Sequence, residues 1–189
     1  MGYTVLCLGN PGSRYRQTRH NAGFFVAQSL SKRLGKSLRR PFFANYRYFK
    51  SGEMVLVTPL TYMNRSGEVI PALDRRFPSY REPVIVVFDQ MDLPPGSVRL
   101  KRNGGAGGHR GVHSVMQYSS DREWYKLAVG IGRPRGGQAV TDHVLSEPEP
   151  EERDALYSAC EKAGSVLLRF ATENPADIMS EVNRRVSKP

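Results

Sequence analysis

Four groups of polar residues each follow a short apolar segment, and the side chains in them could act together on one substrate. The groups share an abundance of side chains that donate, accept or transfer protons: Asn10, Tyr15, His20 and Asn21 within "NPGSRYRQTRHNAGFF" (residues 10–25), Thr61-Tyr62-Met63-Asn64, Asp89 with Asp92, and the glycine-rich residues 104–110. A chain reversal needs only turn residues, which Asn10-Pro11-Gly12 already supplies. The remaining polar side chains therefore predict a functional site.

The chemistry that suits this set is attack of water on an ester. A histidine that titrates near neutral pH can take a proton from water, and a buried carboxylate can hold its tautomer. Asparagine amides can donate hydrogen bonds to the oxyanion that forms. Taken singly, His20 could start a helix, and Asp89 and Asn64 could be turn residues. Their joint occurrence favours a catalytic site.

Strands that alternate with helices predict an α/β fold in a single domain, with a mixed twisted β-sheet flanked by helices. The expected strands are residues 3–8, 45–50, 53–58, 83–88, 97–101 and 126–132, and the expected helices are residues 21–34, 62–77, 112–118, 149–170 and 175–186. Residues 133–150 are expected to form a loop or lid. In such sheets ligands bind outside the carboxyl ends of the strands, where the four polar groups lie.

Other familiar motifs do not fit the sequence. The "NGGAGGHRG" segment gives no G-x-G-x-x-G pattern, and Leu30 stands where a P-loop ending at residues 35–37 needs glycine. His109 and His113 are four residues apart, but without a glutamate after His109 they do not form the zinc-binding H-E-x-x-H pattern. We expect no metal and no other cofactor. There is also no G-x-S-x-G motif, so an α/β-hydrolase serine is not expected.

Charge points to a polyanionic partner. The chain has 189 residues with 28 Lys+Arg and 18 Asp+Glu, a net charge of +10. Such an excess favours nucleic acid, and no apolar run approaches the ~20 residues of a membrane span. Cys7 and Cys160 have no metal-like spacing and suit buried positions. We therefore expect a cytoplasmic protein that binds no membrane.

The sequence resembles the bacterial peptidyl-tRNA hydrolase family in four motifs. "LGNPGSRYRQTRHNAGF" is similar to the family's first signature, and "TPLTYMNRSG" to its second. "VFDQMDLPPG" and "KRNGGAGGHRG" resemble the third and fourth. Order and spacing agree over about residues 3–132. The resemblance implies a cytosolic α/β enzyme, usually monomeric and without a metal, that cleaves the ester between a peptide and the 3′ ribose of tRNA.

The resemblance also implies roles for individual residues. His20 matches the catalytic base, Asp89 the carboxylate that supports it, and Asn10 the asparagine that holds the peptide. The residues at substrate-contacting positions are Tyr15, Tyr62 and Asn64. Asn10 is also expected to help distinguish N-blocked from free aminoacyl-tRNA.

One position departs from the family pattern. Where the fourth motif usually reads G-G-H-N-G, this chain has Arg110 in place of the asparagine. Arginine cannot accept hydrogen bonds, but its planar donor fork suits a phosphate of the tRNA acceptor end. We expect the substrate site to be retained in altered form. The departure also leaves open an alternative, a non-catalytic RNA-binding or splicing-partner module on the same fold.

Several cations are expected to hold the tRNA backbone. These are Arg99, Lys101 and Arg102 before the glycine-rich loop, and Arg133 in the lid. Contacts of this kind bind phosphates without reading sequence, which suits an enzyme that acts on many tRNAs.

Overall fold

Six strands form one mixed sheet in the computed structural model, which describes residues 2–184. The strands are β1 (Tyr3–Cys7), β2 (Tyr46–Ser51), β3 (Met54–Pro59), β4 (Val84–Gln90), β5 (Val98–Arg102) and β6 (Trp124–Gly130), and their order in the sheet is β2-β3-β1-β4-β6-β5. The four central strands are parallel, and the two edge strands are antiparallel to their neighbours. The carboxyl ends of β1, β3, β4 and β6 therefore meet at one edge of the sheet.

Helices cover both faces of the sheet. They are α1 (Ala22–Leu34), α2 (Ile70–Arg76), α3 (Arg110–Gln117), α4 (Val140–Val144), α5 (Pro150–Arg169) and α6 (Pro175–Arg184). One hydrophobic core lies between the sheet and α1, α5 and α6, and the other lies between the sheet and α2 and α3. Because both faces are covered, β1 is buried along its whole length, which explains its continuous apolar sequence.

Close packing brings α1 onto the ends of β1 and β4. A side chain at Gly23 would meet backbone atoms of Leu8 and Val87, so glycine allows the first turn of α1 to lie directly on the strands. The helix ends at Gly35, whose φ of 61° is the left-handed conformation common at helix C-termini. This packing fixes the chain just after His20 relative to the sheet.

The predicted α/β class with a mixed sheet flanked by helices is confirmed, while several boundaries differ. The expected helix 62–77 is a 3₁₀ helix (Met63–Val69) followed by α2, because Pro71 is accommodated only in the first turn of an α-helix. The segment expected as a loop contains α4. The expected last helix ran to residue 186, and residues 185 and 186 lie outside the described residues. Among residues 2–184, no helix combines the length and apolar character needed to span a membrane.

Candidate active site

A cavity of about 480 Å³ opens where β1 and β4 end. His20 reaches it from a 3₁₀ turn (Arg19–Asn21), and Asp89 reaches it from the end of β4. The other expected site residues that line this cavity are Asn10, Tyr62, Asn64 and Arg110. The ends of β1, β3 and β4 therefore bring together three of the four polar groups that the sequence separates. The fourth group, the glycine-rich loop, also lines the cavity, through Gly107 and Gly108 among others.

His20 and Asp89 form the hydrogen bond expected of a base and its supporting carboxylate. Nδ1 of His20 lies 2.8 Å from Oδ1 of Asp89. An ionised carboxylate only accepts hydrogen bonds, so Nδ1 carries the proton and Nε2 of the neutral ring keeps its lone pair. Asp89 is 3% exposed, whereas the His20 side chain is 15% exposed. The ring therefore has a free basic nitrogen and some access to solvent.

A second histidine, His109, binds the same carboxylate oxygen and was not among the expected site residues. Its Nε2 lies 3.0 Å from Oδ1 of Asp89, and its Nδ1 accepts a hydrogen bond from the Val112 N–H at 3.1 Å. Nδ1 is thus unprotonated and Nε2 donates. The histidine, interpreted from sequence as a loop residue with ordinary hydrogen bonds, caps α3 and donates to the same oxygen of Asp89 as His20, with the two ring centroids 5.1 Å apart. The signal in the sequence was that His109 lies within the glycine-rich residues 104–110.

The two imidazoles determine the charge state of Asp89. Burial by itself would raise the pKa of this carboxyl, but the charges and hydrogen bonds of His109 and His20 hold the pKa well below its usual range. The carboxylate is therefore ionised at neutral pH. An ionised carboxylate in this position stabilises a protonated imidazole at His20 relative to the neutral ring.

His20, Asp89 and His109 are also the residues that could hold a metal ion. One ligand atom from each lies within 4.8 Å of the others, and two imidazoles with a carboxylate suit Zn²⁺ or another transition metal. In the structure both imidazoles instead bind Oδ1 of Asp89. A cation would have to displace these bonds. The expectation that the protein needs no metal stays a prediction.

Asn10 is held so that its amide nitrogen is left for a substrate. Its Oδ1 accepts a hydrogen bond from the Met63 N–H at 2.8 Å, which identifies the oxygen and directs Nδ2 elsewhere. Asn21, which belongs to the first polar group but was given no role from the sequence, fixes the backbone of Asn10: it accepts from Asn10 N at 2.8 Å and donates to Asn10 O at 3.1 Å. Asn21 therefore positions Asn10 and makes no side-chain cap on α1.

Arg19 connects the His20 turn to the segment expected to be a lid. It is 5% exposed, and its guanidinium donates to Ser146 Oγ and Glu147 O, both at 2.7 Å, and to Glu152 at 2.6 Å. Just before this anchor, Val140 and Val144 of α4 form one wall of the cavity. Arg19 thus has a structural role that its place beside His20 did not reveal. Movement of residues 133–150 as a lid stays a prediction.

Arg110 begins α3 at the mouth of the cavity. Gly107 and Gly108 have φ values of 57° and 78°, and this backbone turns the chain into the cap at His109. The side chain of Arg110 is exposed and has no carboxylate partner within residues 2–184. An unpaired guanidinium at this place is available to an anion. Tyr62 is 59% exposed at the same mouth, while Tyr15 lies outside the cavity, under Arg14.

The expected tRNA-binding cations are not all on one face of the sheet. Alternation along β5 directs Arg99 and Lys101 to the face opposite Val98 and Leu100, and Arg102 to the other face. Arg102 pairs with Glu123, and Arg133 pairs with Asp92. Lys126, opposite Lys101 on β6, was not predicted; burial and then Lys101 lower its pKa. Arg99, Lys101 and Lys126 thus form the cationic face beside the glycine-rich loop.

Comparison with known proteins agrees with the resemblance seen in the sequence. The family model described as peptidyl-tRNA hydrolase matches residues 4–189. A peptidyl-tRNA hydrolase of Geobacillus thermodenitrificans is 41% identical over 181 residues, covering 93% of this chain and 96% of the relative. One from Aquifex aeolicus is 39% identical and covers 96% of both. A crystal structure of the Acinetobacter baumannii peptidyl-tRNA hydrolase superposes with a TM-score of 0.85 at 30% identity, covering 96% and 94% of the two chains.

Proposed function

The chain belongs to the peptidyl-tRNA hydrolase family, and we propose that it hydrolyses peptidyl-tRNA in the cavity beside His20. The bond cleaved is the ester between an N-blocked peptide, or amino acid, and the 3′ ribose of tRNA. The observation that carries the assignment of the site is the 2.8 Å hydrogen bond between His20 and a buried, ionised Asp89. It leaves Nε2 of His20 as the base at the cavity.

The reaction begins when Nε2 of His20 takes a proton from water. The resulting hydroxide attacks the ester carbonyl carbon, and Nδ2 of Asn10 donates a hydrogen bond to the carbonyl oxygen as it becomes an oxyanion. The imidazolium then returns its proton to the 3′ oxygen as the carbon–oxygen bond breaks. The products are the peptide carboxylate and tRNA with a free 3′ hydroxyl, and the released proton goes to solvent.

Substrate binding follows from the residues around this centre. Asn64 and Tyr62 contact the substrate at the cavity mouth, and Arg110 binds a phosphate near the 3′ end as the stand-in for the family asparagine. Tyr15 contacts the tRNA end outside the cavity. The cationic face beside the glycine-rich loop holds the phosphate backbone further away, which explains the excess positive charge.

A non-catalytic RNA-binding module is the second hypothesis, and it is not favoured. Such a module has no need for a histidine–carboxylate pair at a cavity, and curated relatives with about 40% identity are named as hydrolases. We further infer that the protein acts as a monomer in the cytoplasm without a metal. In support, one chain supplies every residue assigned to the reaction.

The direct experiment measures release of the amino acid from N-acetyl-aminoacyl-tRNA and from aminoacyl-tRNA with a free amino group. We expect rapid hydrolysis of the blocked substrate and little of the free one. An Asn10→Ala variant should lose most activity on the blocked substrate because the oxyanion loses a donor, with a decrease in kcat of about 10²-fold or more. Equal rates on both substrates would contradict the proposed role of Asn10.

A further inference from the structure

Two aromatic side chains outside the active site are held almost entirely in solvent. Phe42 is 90% exposed and Phe43 is 92% exposed, in the loop before β2. Their ring centroids are 4.5 Å apart at an interplanar angle of 74°. Phe43 has a φ of 60°, a conformation uncommon for a bulky side chain. An exposed apolar pair on strained backbone is costly for folding alone, which indicates a binding role.

The aromatic pair borders a second cavity of about 450 Å³, between its loop and α2. Val69 and Ala72 supply apolar surface in this cavity, and Arg75 and Arg76 supply guanidinium groups. Arg76 is fixed by its hydrogen bond to the Tyr48 hydroxyl at 3.1 Å and by its position over the Tyr48 ring. Stackable rings and positioned cations therefore adjoin one concave surface.

The charge around this cavity is strongly positive. Arg39 and Arg40 immediately precede the loop, and like Arg75 and Arg76 they have no carboxylate partner within the described part of the chain. The acidic residue that lines the cavity, Glu68, is already bound by Arg65 through two hydrogen bonds of 2.7 and 2.9 Å. We define the aromatic–arginine surface as Phe42 and Phe43 together with Arg39, Arg40, Arg75 and Arg76.

The aromatic–arginine surface is close to the active site but separate from it. The Leu60 N–H, just after β3, donates to Asn45 O at 2.7 Å. This hydrogen bond places the end of the loop beside the carboxyl end of β3, the end of the sheet at which β1 and β4 also end. The Met63–Val69 3₁₀ helix has its first residue at the catalytic cavity and its last at the second cavity. With a rise of ~2 Å per residue, Met63 and Val69 are about 12 Å apart along this helix, and so the two cavities are separated by about that distance. The loop leads into β2, which is one edge strand of the sheet, whereas β5 with its cations is the edge strand on the other side.

We propose that the aromatic–arginine surface binds unpaired RNA nucleotides, with bases stacked on Phe42 and Phe43 and phosphates held by the arginines. Every base has a π face, so stacking on aromatic side chains within a basic groove is how proteins bind single strands without reading their sequence. A peptide also has apolar groups that could cover the rings, but it carries no regular row of negative charges to match the arginines. This binding goes beyond ester hydrolysis and does not depend on it.

The test measures the Kd of a fluorescein-labelled single-stranded oligouridylate of twelve nucleotides by fluorescence anisotropy. The Phe42→Ala/Phe43→Ala variant should bind at least about tenfold more weakly, since each stacked base contributes substantially to affinity. Phe42→Trp/Phe43→Trp should retain the affinity because it keeps the stacking surface. In Arg39→Ala/Arg75→Ala the salt dependence of log K should become less steep by about 1.4, because each phosphate bound by an arginine contributes ~0.7 to the slope.

Tyr157→Ala is the matched control, since Tyr157 is an exposed aromatic on α5 and should not change the Kd. All the variants should hydrolyse N-acetyl-aminoacyl-tRNA with the wild-type kcat, which shows that the fold and the catalytic site are intact. Unchanged oligouridylate affinity in the double phenylalanine variant would overturn the proposal. The double phenylalanine variant could also keep its oligouridylate affinity but lose kcat/KM, with a loss that grows with the length of the peptide on the tRNA. That result would overturn the proposal and would identify the surface as one that binds peptide.

Discussion

Replacement of Asp89 by asparagine tests how much the buried carboxylate contributes to catalysis. The asparagine side chain would keep the shape of the aspartate and could still accept from His20 and His109 through its carbonyl oxygen. It would lack the negative charge that faces the imidazolium formed when water is deprotonated. The amide could also turn its nitrogen toward His20 and favour the wrong tautomer. The expected effect is on kcat, with KM changed by less than about threefold, because Asp89 acts through His20.

The size of the effect follows from the geometry. Nδ1 and Oδ1 are 2.8 Å apart, so the centres of the two charges are roughly 4 Å apart. At an effective dielectric constant of ~20 this attraction is worth about 4 kcal/mol. A transition state that loses about 4 kcal/mol is reached about 10³-fold more slowly. We therefore expect Asp89→Asn to lower kcat by about three orders of magnitude.

The assay follows release of N-acetylated amino acid from radiolabelled tRNA over a range of substrate concentrations. Asp92→Asn is the matched control, because Asp92 follows the same strand but is half exposed and pairs with Arg133. The control should stay within about twofold of wild type, as expected for an exposed ion pair. If Asp89→Asn lowered kcat by less than about tenfold, or raised KM with kcat unchanged, the assigned role of Asp89 would be wrong.

Three further predictions concern residues around the centre. Arg19→Ala should lower the free energy of unfolding in urea by about 3 kcal/mol, because it removes a buried guanidinium together with its ion pair to the partly buried Glu152, and Arg19→Lys should lower it less; an unchanged free energy of unfolding in Arg19→Ala would refute this structural role of Arg19. Arg110→Asn should raise KM for N-acetyl-aminoacyl-tRNA severalfold, since asparagine has no guanidinium to bind the phosphate; an unchanged KM would exclude this role for Arg110. KM should also rise steeply between 50 and 200 mM salt as phosphate binding weakens, and a flat response would count against the cationic face.

The catalytic centre was the part of the site most accessible from sequence. Asn10 and His20 follow β1, and Asp89 lies at the end of β4. Because parallel strands end at the same side of a sheet, pattern and fold class together predict that these residues meet. The same logic located Tyr62 and Asn64. It does not apply to Arg110, because β5 is antiparallel to β6 and its carboxyl end lies at the other end of the parallel strands. Strand positions were also predicted closely, because buried parallel strands leave continuous apolar runs.

Other features depended on contacts between distant segments. His109 meets Asp89 only because two positive-φ glycines turn the loop back over the end of β4. Arg19 reaches Glu152, 133 residues away, and nothing local distinguishes it from a phosphate-binding arginine. The set of residues that forms the cationic face differs from the prediction for a simpler reason. Side chains alternate between the two faces along β5, so Arg102 lies on the face opposite Arg99 and Lys101. Such results follow from tertiary geometry, which short sequence patterns do not encode.

The most direct test of the central claim is the rate of N-acetyl-aminoacyl-tRNA hydrolysis by wild type and by His20→Ala, with far-UV circular dichroism as the check on folding. If His20 is the base that activates water, the variant should fold normally and lose at least about 10² in kcat, while tRNA binding stays within a few fold of wild type. A folded His20→Ala variant that hydrolyses the substrate at the wild-type rate would contradict the assignment.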